Sequence, residues 1–281
     1  MSTSIVEKTI QSGALASHVL LAGDPKAPPA ILLHGAGPGA TAASNWTRCM
    51  PDLAKHYYVI APDLTGFGQT ELPAELPRHI LGWIGARVEQ LLGLMDTMGL
   101  ERAHVVGNSM GGALTLHMLV QARERFDKVL LMGAIGAPHH WTYEMHRLLA
   151  FYDDPRIARY REMMHSFVHD PAAVPELENI VQTRFATATD PKIRAVQENM
   201  FAAMRDGMDQ LIVPQIALSR LPHEVCIVHG RQDRIVPLET SLYFLQHLKN
   251  AELHVLDRCG HWAQTQRWDA MYPLIVKHFG G

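Results

Sequence analysis

The sequence predicts an α/β fold: a mostly parallel sheet flanked by helices, with a helical segment inserted into it. Short apolar, β-rich runs alternate with helical stretches along the chain, the pattern of βα units. Between the fourth and fifth of these runs lies a long stretch with helical periodicity and no convincing strand. At 281 residues, with 47% hydrophobic and 19% charged residues, the chain can bury one large core and an insertion. It divides accordingly into an α/β core of residues 1–138 and 215–281 and a helical lid of residues 139–214.

In chain order, strands are expected at Ala30–Leu33, Tyr57–Ala61, Ala103–Val106, Lys128–Met132, Val225–His229 and Glu252–Leu256. Three Asp-Pro dipeptides punctuate the inserted stretch, at Asp154-Pro155, Asp170-Pro171 and Asp190-Pro191. Each offers an N-cap carboxylate followed by a proline suited to the first helical position, so three lid helices are expected. Ile157, Tyr160, Met164 and Val168 then share one helix face, and Ile193, Val196, Met200 and Met204 another. Internal repeats and low-complexity segments are absent.

A formal net charge of −3 gives no field that would gather nucleic acid or an anionic membrane, so neither is expected as a partner and a small molecule is. No uncharged run reaches the roughly 18 to 20 residues of a membrane helix. The N-terminal MSTSIVEKTIQSG lacks the charged-then-apolar profile of a signal peptide, and a cytoplasmic enzyme is expected. Cys49, Cys226 and Cys259 are odd in number and widely spaced, which suits reduced, mostly buried thiols rather than disulfides or a zinc site. The 17 histidines are scattered without metal-ligand spacing. Neither a metal nor an organic cofactor is expected.

The first chemical signal is Gly107-Asn108-Ser109-Met110-Gly111, set between a strand and a helix. A glycine-flanked serine is by default only a turn. In this context, small residues two before and two after the serine permit a sharp strand-to-helix turn that lifts the hydroxyl above the sheet edge. A second signal, His34-Gly35-Ala36-Gly37-Pro38-Gly39, directly follows the Ala30–Leu33 strand. Its few side chains would let the backbone N–H of Ala36 face the same space as that of Met110, and two such donors stabilise a developing alkoxide. The rival reading, a phosphate-binding loop, fails on glycine spacing and on the lack of a ribose-binding acid. Asp233 and His261 follow in loops after the fifth and sixth strands. Serine, then acid, then histidine is the order of an α/β-hydrolase triad, and all three loops open on one sheet edge. Taken alone, Asp233 reads as a helix cap and His261 as a buried polar group. Their agreement with Ser109 makes Ser109, Asp233 and His261 the candidate triad. Asp257 stands too close in sequence to His261 to compete.

The motifs also resemble the meta-cleavage-product hydrolases, carbon–carbon bond hydrolases of bacterial aromatic degradation within the α/β-hydrolase superfamily. The likeness rests on the run from His34 to Ala40, Ser44-Asn45-Trp46, APDLTGFG from Ala61 to Gly68, Gly107 to Gly112, HGRQDRIVP from His229 to Pro237, and LHVLDRCGHWAQ from Leu253 to Gln264. It spans the core and is weaker in the lid, and Ala36 replaces the second glycine or the serine common in the first loop. The resemblance implies hydrolysis of a 2-hydroxy-6-oxohexa-2,4-dienoate between its fifth and sixth carbons, and a homo-oligomer, a dimer or larger. It also implies substrate-binding roles for Gly37, Asn45, Asn108, Arg184 and Trp262. Leu177, Ile180, Val181 and Arg184 fall at i, i+3, i+4 and i+7, so the guanidinium shares an apolar helix face. A snorkelling arginine at the lid rim is the plain reading of that face, and with the resemblance a clamp for the substrate carboxylate is expected. A carboxylesterase or lactonase with the same triad is the alternative, because the fold alone does not set the substrate. A ligand receptor would have no need of an intact triad.

Overall fold

The computed structural model of the chain describes residues 3–280. Met1, Ser2 and Gly281, at the outer ends of the two core ranges, lie outside the described residues. The strands are β1 Val6–Ser12, β2 Leu15–Ala22, β3 Pro29–Leu33, β4 Tyr58–Pro62, β5 Ala103–Asn108, β6 Phe126–Met132, β7 Glu224–Gly230 and β8 Asn250–Leu256. They form one eight-stranded sheet in the order β1-β2-β4-β3-β5-β6-β7-β8. β2 pairs antiparallel with β1 and β4, and every other pairing is parallel. The core helices are α1 Ala42–Trp46, α2 Met50–Leu53, α3 Ile80–Thr97 and α4 Met110–Ala122 before the inserted stretch. Within it lie α5 Tyr143–Leu149, α6 Ile157–Ser166, α7 Leu177–Thr189 and α8 Pro191–Gly207. After it come α9 Gln215–Leu218, α10 Leu238–His247, α11 Ala263–Gln266 and α12 Trp268–Phe279.

All six expected strands occur, with ends moved by one or two residues. The β1–β2 hairpin is an addition. β1 is exposed along most of its length and β2 is buried along most of its own, so neither carries the alternation that marks a half-buried strand. The sheet separates two apolar layers because successive side chains point to opposite faces. Ile31 and Leu33 join Val105 and Leu131 under α3 and α4, while Ala30 and Leu32 join Val106 and Leu130 under α2 and α12.

The inserted stretch differs from the expected three helices. Asp190 caps α8 through the N–H groups of Lys192 and Ile193, as its Asp-Pro dipeptide suggests. Asp170 caps only a single 3-10 turn, Pro171–Ala173. Asp154 starts no helix, because its carboxylate is occupied by the Arg156 side chain at 2.8 and 2.9 Å, and α6 begins two residues beyond Pro155. A guanidinium next door is a stronger partner than a backbone N–H. α5 carries no Asp-Pro signal at all, being capped by Thr142. Of the two expected faces, Tyr160 and Met164 of α6 and Val196, Met200 and Met204 of α8 are buried and Ile157 and Ile193 half-buried, while Val168 is buried just past the end of α6. All three cysteines are free and buried. No helix among the described residues is long and apolar enough to cross a membrane.

Arg87 of α3 is fully buried without a carboxylate partner among the described residues. Its guanidinium donates to Thr65 O at 3.1 Å and lies between the Phe67 and Trp83 rings, 5.4 and 5.5 Å from their centroids. Burial pulls its pKa down to about 9.

Candidate active site

Five parallel strands, β3, β5, β6, β7 and β8, deliver loops to the carboxyl edge of the sheet, and the candidate site is built from those loops. β5 ends at Asn108, α4 begins at Met110, and Ser109 takes the whole reversal at φ 55° and ψ −115°. Such a conformation stores strain of order 1–3 kcal/mol in a non-glycine residue. The surroundings enforce it: Ser109 N–H donates to Met132 O at 2.9 Å, and its carbonyl accepts from Gly112 N–H at 2.9 Å and Ile135 N–H at 3.2 Å. α4 starts so close to the sheet that a Cβ on Gly111 would lie 2.6 Å from Leu33 O.

Asp233 and His261 meet, with His261 Nδ1 2.7 Å from Asp233 Oδ2 and both side chains buried, and His261 lines one pocket with Ser109. The second carboxylate oxygen accepts from the N–H groups of Ile235 and Val236 at 2.8 and 3.0 Å. Burial pushes the Asp233 carboxyl up, but His261, through charge and hydrogen bond, with His229 and Val236 N–H, outweighs it and holds the carboxyl below the usual range. An ionised Asp233 accepts the proton on Nδ1 and so favours the tautomer that leaves the Nε2 lone pair free. The backbone of the histidine loop hangs on the inserted stretch, since the His261 N–H donates to Phe167 O at 2.7 Å. Asp257, the rejected competitor, faces solvent and accepts from Gln232 Nε2 at 3.1 Å.

Two histidines in the quoted motifs acquire supporting positions that the sequence reading did not give them. His229 sits beneath Asp233 with Nε2 donating to Val236 O at 3.0 Å and Nδ1 accepting from the Ser241 hydroxyl at 2.7 Å. Burial lowers its pKa. His34 Nδ1 donates to Gly35 O at 2.9 Å, and its Nε2 accepts from Leu64 N–H at 3.0 Å. Burial drives His34 down to about 4, so the ring is neutral at pH 7. The Gly35 carbonyl and the Ala36 N–H belong to one trans peptide and point opposite ways, so His34 fixes the direction of the Ala36 N–H by holding the other end of that peptide. Among the described residues, neither the Ala36 nor the Met110 N–H donates to a protein acceptor.

Every other candidate joins the same pocket. Gly35, Ala36, Gly37, Asn45, Asn108, Ser109, Met110, Arg184, His261 and Trp262 line it, closed by Ile135, Met145, Leu148, Phe167, Met204 and Ile235. Its atom-free space is about 410 Å³, the open mouth included. Asn45 and Asn108 are partly committed, their amide nitrogens donating to Thr41 O and Met132 O at 3.0 and 3.2 Å. Arg184 is buried on the inner face of α7, 3% exposed, and not the rim residue of the plain reading. Its guanidinium lies 5.3 Å from the Trp262 ring centroid, packs against Gly37 where a Cβ would sit 2.5 Å from Nη2, and has no ion-pair partner among the described residues. Its buried Nε has no hydrogen-bond acceptor. Gly133, which the sequence reading passed over, takes φ +50° in the loop after β6. A Cβ there would lie 3.1 Å from His261 Nδ1 and 3.3 Å from Asp233 Oδ2.

The fold and this pocket define an α/β hydrolase, and the chain belongs to the α/β hydrolase family, whose model matches residues 30–274. Within that family it is a meta-cleavage-product hydrolase. It is 36% identical over 248 residues to a 2-hydroxy-6-oxo-2,4-heptadienoate hydrolase of Pseudomonas putida, covering 88% of this chain and 87% of that one. It superposes on a 2-hydroxy-6-oxo-6-phenylhexa-2,4-dienoate hydrolase from Rhodococcus sp. strain RHA1 with a TM-score of 0.97 at 59% identity, covering 99% of each chain. A meta-cleavage product hydrolase from Pseudomonas fluorescens IP01 gives a TM-score of 0.89 at 33% identity, covering 97% of each.

Proposed function

We propose that this enzyme hydrolyses the bond between C5 and C6 of a 2-hydroxy-6-oxohexa-2,4-dienoate, with Ser109, Asp233 and His261 as its catalytic triad. The observation that carries the reading is one pocket lined both by Ser109 and by His261, whose Nδ1 bonds Asp233, and by the buried guanidinium of Arg184, which has no ion-pair partner among the described residues. A triad alone fits any acyl hydrolase. An unpaired buried cation is costly unless an anion completes it, and the dienoate carboxylate is such an anion.

The chemistry then runs through the chain's own groups. Arg184, with Asn45, Asn108, Gly37 and Trp262, holds the carboxylate end and the 2-oxygen, leaving C6 at Ser109. The 2-hydroxyl gives up its proton as C5 gains one, so the dienol becomes the 2,6-diketone, with His261 as the proton carrier. Ser109 Oγ adds to C6 as its proton passes to His261 Nε2, and the Ala36 and Met110 N–H groups receive the developing oxyanion. The C5–C6 bond breaks, the electron pair leaving as the dienolate of 2-hydroxypenta-2,4-dienoate, which takes a proton back. Water, activated by His261, releases the carboxylic acid from Ser109. No step calls for a metal or an organic cofactor. The apolar wall of Met145, Leu148, Met204 and Ile235 receives the C6 substituent. By the same family likeness we place the enzyme in the cytoplasm as a homo-oligomer of dimer size or larger, on a small dienoate and not on nucleic acid or membrane.

The test compares purified enzyme on dienoates differing at C6 with an uncharged p-nitrophenyl ester. A kcat/KM for the best dienoate roughly tenfold to over a hundredfold above the ester is expected from charge-assisted recognition alone. Equal or better turnover of the ester would assign the protein to the carboxylesterases.

A further inference from the structure

The loop that carries Ala36 is held from outside by the inserted helices. Ala40 N–H donates to Gly37 O at 2.9 Å, which makes Pro38 and Gly39 the central residues of a four-residue turn. Proline at the first central position and a positive φ, +67° on Gly39, at the second are the signature of a type II turn. In such a turn the central peptide has no partner of its own, and a buried peptide without partners is destabilising. Both ends of this one are taken. The Tyr160 hydroxyl of α6 donates to Pro38 O at 2.7 Å, and Gly39 N–H donates to Gln197 Oε1 of α8 at 3.1 Å. Tyr160 and Gln197 are completely buried. Gln197 is fixed in turn, since Oε1 also accepts from the Tyr152 hydroxyl at 2.7 Å and Nε2 donates to Gly66 O at 3.4 Å. α7 closes the third side so tightly that a Cβ on Gly39 would lie 2.0 Å from Arg184 O.

A peptide held at both its carbonyl and its N–H cannot flip, and with its two ends bonded to α6 and α8 the turn that leads out of Ala36 and Gly37 is anchored to the inserted helices. We propose that Gln197 and Tyr160 are positioning residues for the oxyanion donor. Between them they lock the Pro38–Gly39 peptide, as His34 holds the Gly35–Ala36 peptide three steps upstream, so that the Ala36 N–H is aimed before substrate arrives. This rests on the reading of Ala36 as an oxyanion donor. The helices of the inserted stretch then act on the chemical step itself, for any acyl substrate, including one too small to touch them.

The experiment measures kcat and KM for a dienoate and for p-nitrophenyl acetate on wild type, Gln197→Met, Gln197→Glu and Tyr160→Phe, with thermal unfolding of each. Loss of a whole oxyanion donor lowers kcat by about a hundred- to a thousandfold. A misaimed one in Gln197→Met is expected to lower kcat by about tenfold to a hundredfold on both substrates, with the dienoate KM within about threefold of wild type. Gln197→Glu keeps the acceptor toward Gly39 N–H and the Tyr152 hydroxyl and is expected to recover most of the rate. Tyr160→Phe keeps the ring, and its thermal unfolding checks the fold. It is read on the acetate alone, because the hydroxyl also faces Arg184, and a smaller fall in kcat is expected. Unchanged kcat on the acetate in Gln197→Met and Tyr160→Phe, or a loss confined to the dienoate KM, would overturn the proposal. Ser109→Ala run alongside separates the two levels: if it is inactive while the Gln197 and Tyr160 variants are not, only this proposal fails, and if it is active the triad reading fails beneath it.

Discussion

Replacing Arg184 with glutamine tests what distinguishes a dienoate hydrolase from an esterase built on the same triad. The side chain is 3% exposed, stacks over Trp262, and meets no carboxylate among the described residues, so its charge is uncompensated until a ligand anion enters. Hydrogen bonds to a charged group contribute about 1.5–3 kcal/mol, which predicts a fall in kcat/KM for the dienoate of roughly tenfold to over a hundredfold. Binding energy from a remote carboxylate also positions the reacting carbon, so part of the loss belongs in kcat. The uncharged p-nitrophenyl ester has no group for Arg184 and is expected to keep its wild-type rate. Removing an unpaired buried cation also relieves desolvation, and the free variant is expected to be at least as stable as wild type to urea. The assay follows loss of the coloured dienolate and release of p-nitrophenol on both proteins. Equal losses on the two substrates would mean that Arg184 only supports α7 and the Gly37 loop, and no loss on either would remove it from recognition altogether.

Three further outcomes are expected. Asp233→Asn removes the charge that fixes the His261 tautomer, and kcat is expected to fall on the order of 10⁴-fold with the fold intact; a nearly active variant would move the acid elsewhere. Gly133→Ala forces a β-carbon onto φ +50° and within 3.1–3.3 Å of the Asp233–His261 pair, so a loss of about 1 kcal/mol in stability and about tenfold or more in kcat is expected, against unchanged kinetics if the pair tolerates the shift. His34 is held neutral down to about pH 4 in the folded state, whereas the unfolded chain protonates it near pH 6.5. The unfolded state therefore binds more protons below pH 6.5, and stability falls on acidification through that window, by about 2 kcal/mol between pH 7 and pH 5. Urea unfolding at the two pH values is expected to show a shallower pH dependence in His34→Asn than in wild type, and identical slopes would deny the buried neutral ring.

How much of this was legible in the sequence follows from where the information lies. Ser109, Asp233 and His261 each sit in a loop directly after a strand, and a short run of residue types suffices to place such a loop. Arg184 was legible as one position of a helical face, because i, i+3, i+4 and i+7 spacing survives without knowing what the face packs against. The β1–β2 hairpin was not, since an exposed edge strand and a fully buried one both lack period-2 alternation, although Gly13 at φ +62° marks the turn between them. Asp154-Pro155 misled because Arg156, two positions from the acid, outcompeted the backbone for its carboxylate. His34, Gly133, Tyr160 and Gln197 belong to a different kind of omission. Tyr160 and Gln197 act through contacts far away in sequence, Gly133 through a dihedral angle, and His34 through a ring that also bonds the distant Leu64 N–H, none of which is written in local composition. Arg87 was similarly silent, since nothing local says that a guanidinium between Phe67 and Trp83 is fully buried.

The central claim is that Ser109 supplies the nucleophile that breaks a carbon–carbon bond. Its most direct test mixes Ser109→Ala with a 2-hydroxy-6-oxohexa-2,4-dienoate in a stopped-flow spectrometer, recording dienolate binding and its disappearance, with the released carboxylic acid measured at the end. The expected result is a folded protein that binds the dienoate with near wild-type affinity and releases the acid roughly 10³-fold to 10⁶-fold more slowly. Release of the acid within about tenfold of the wild-type rate, a difference of only about 1.4 kcal/mol in barrier, would contradict it.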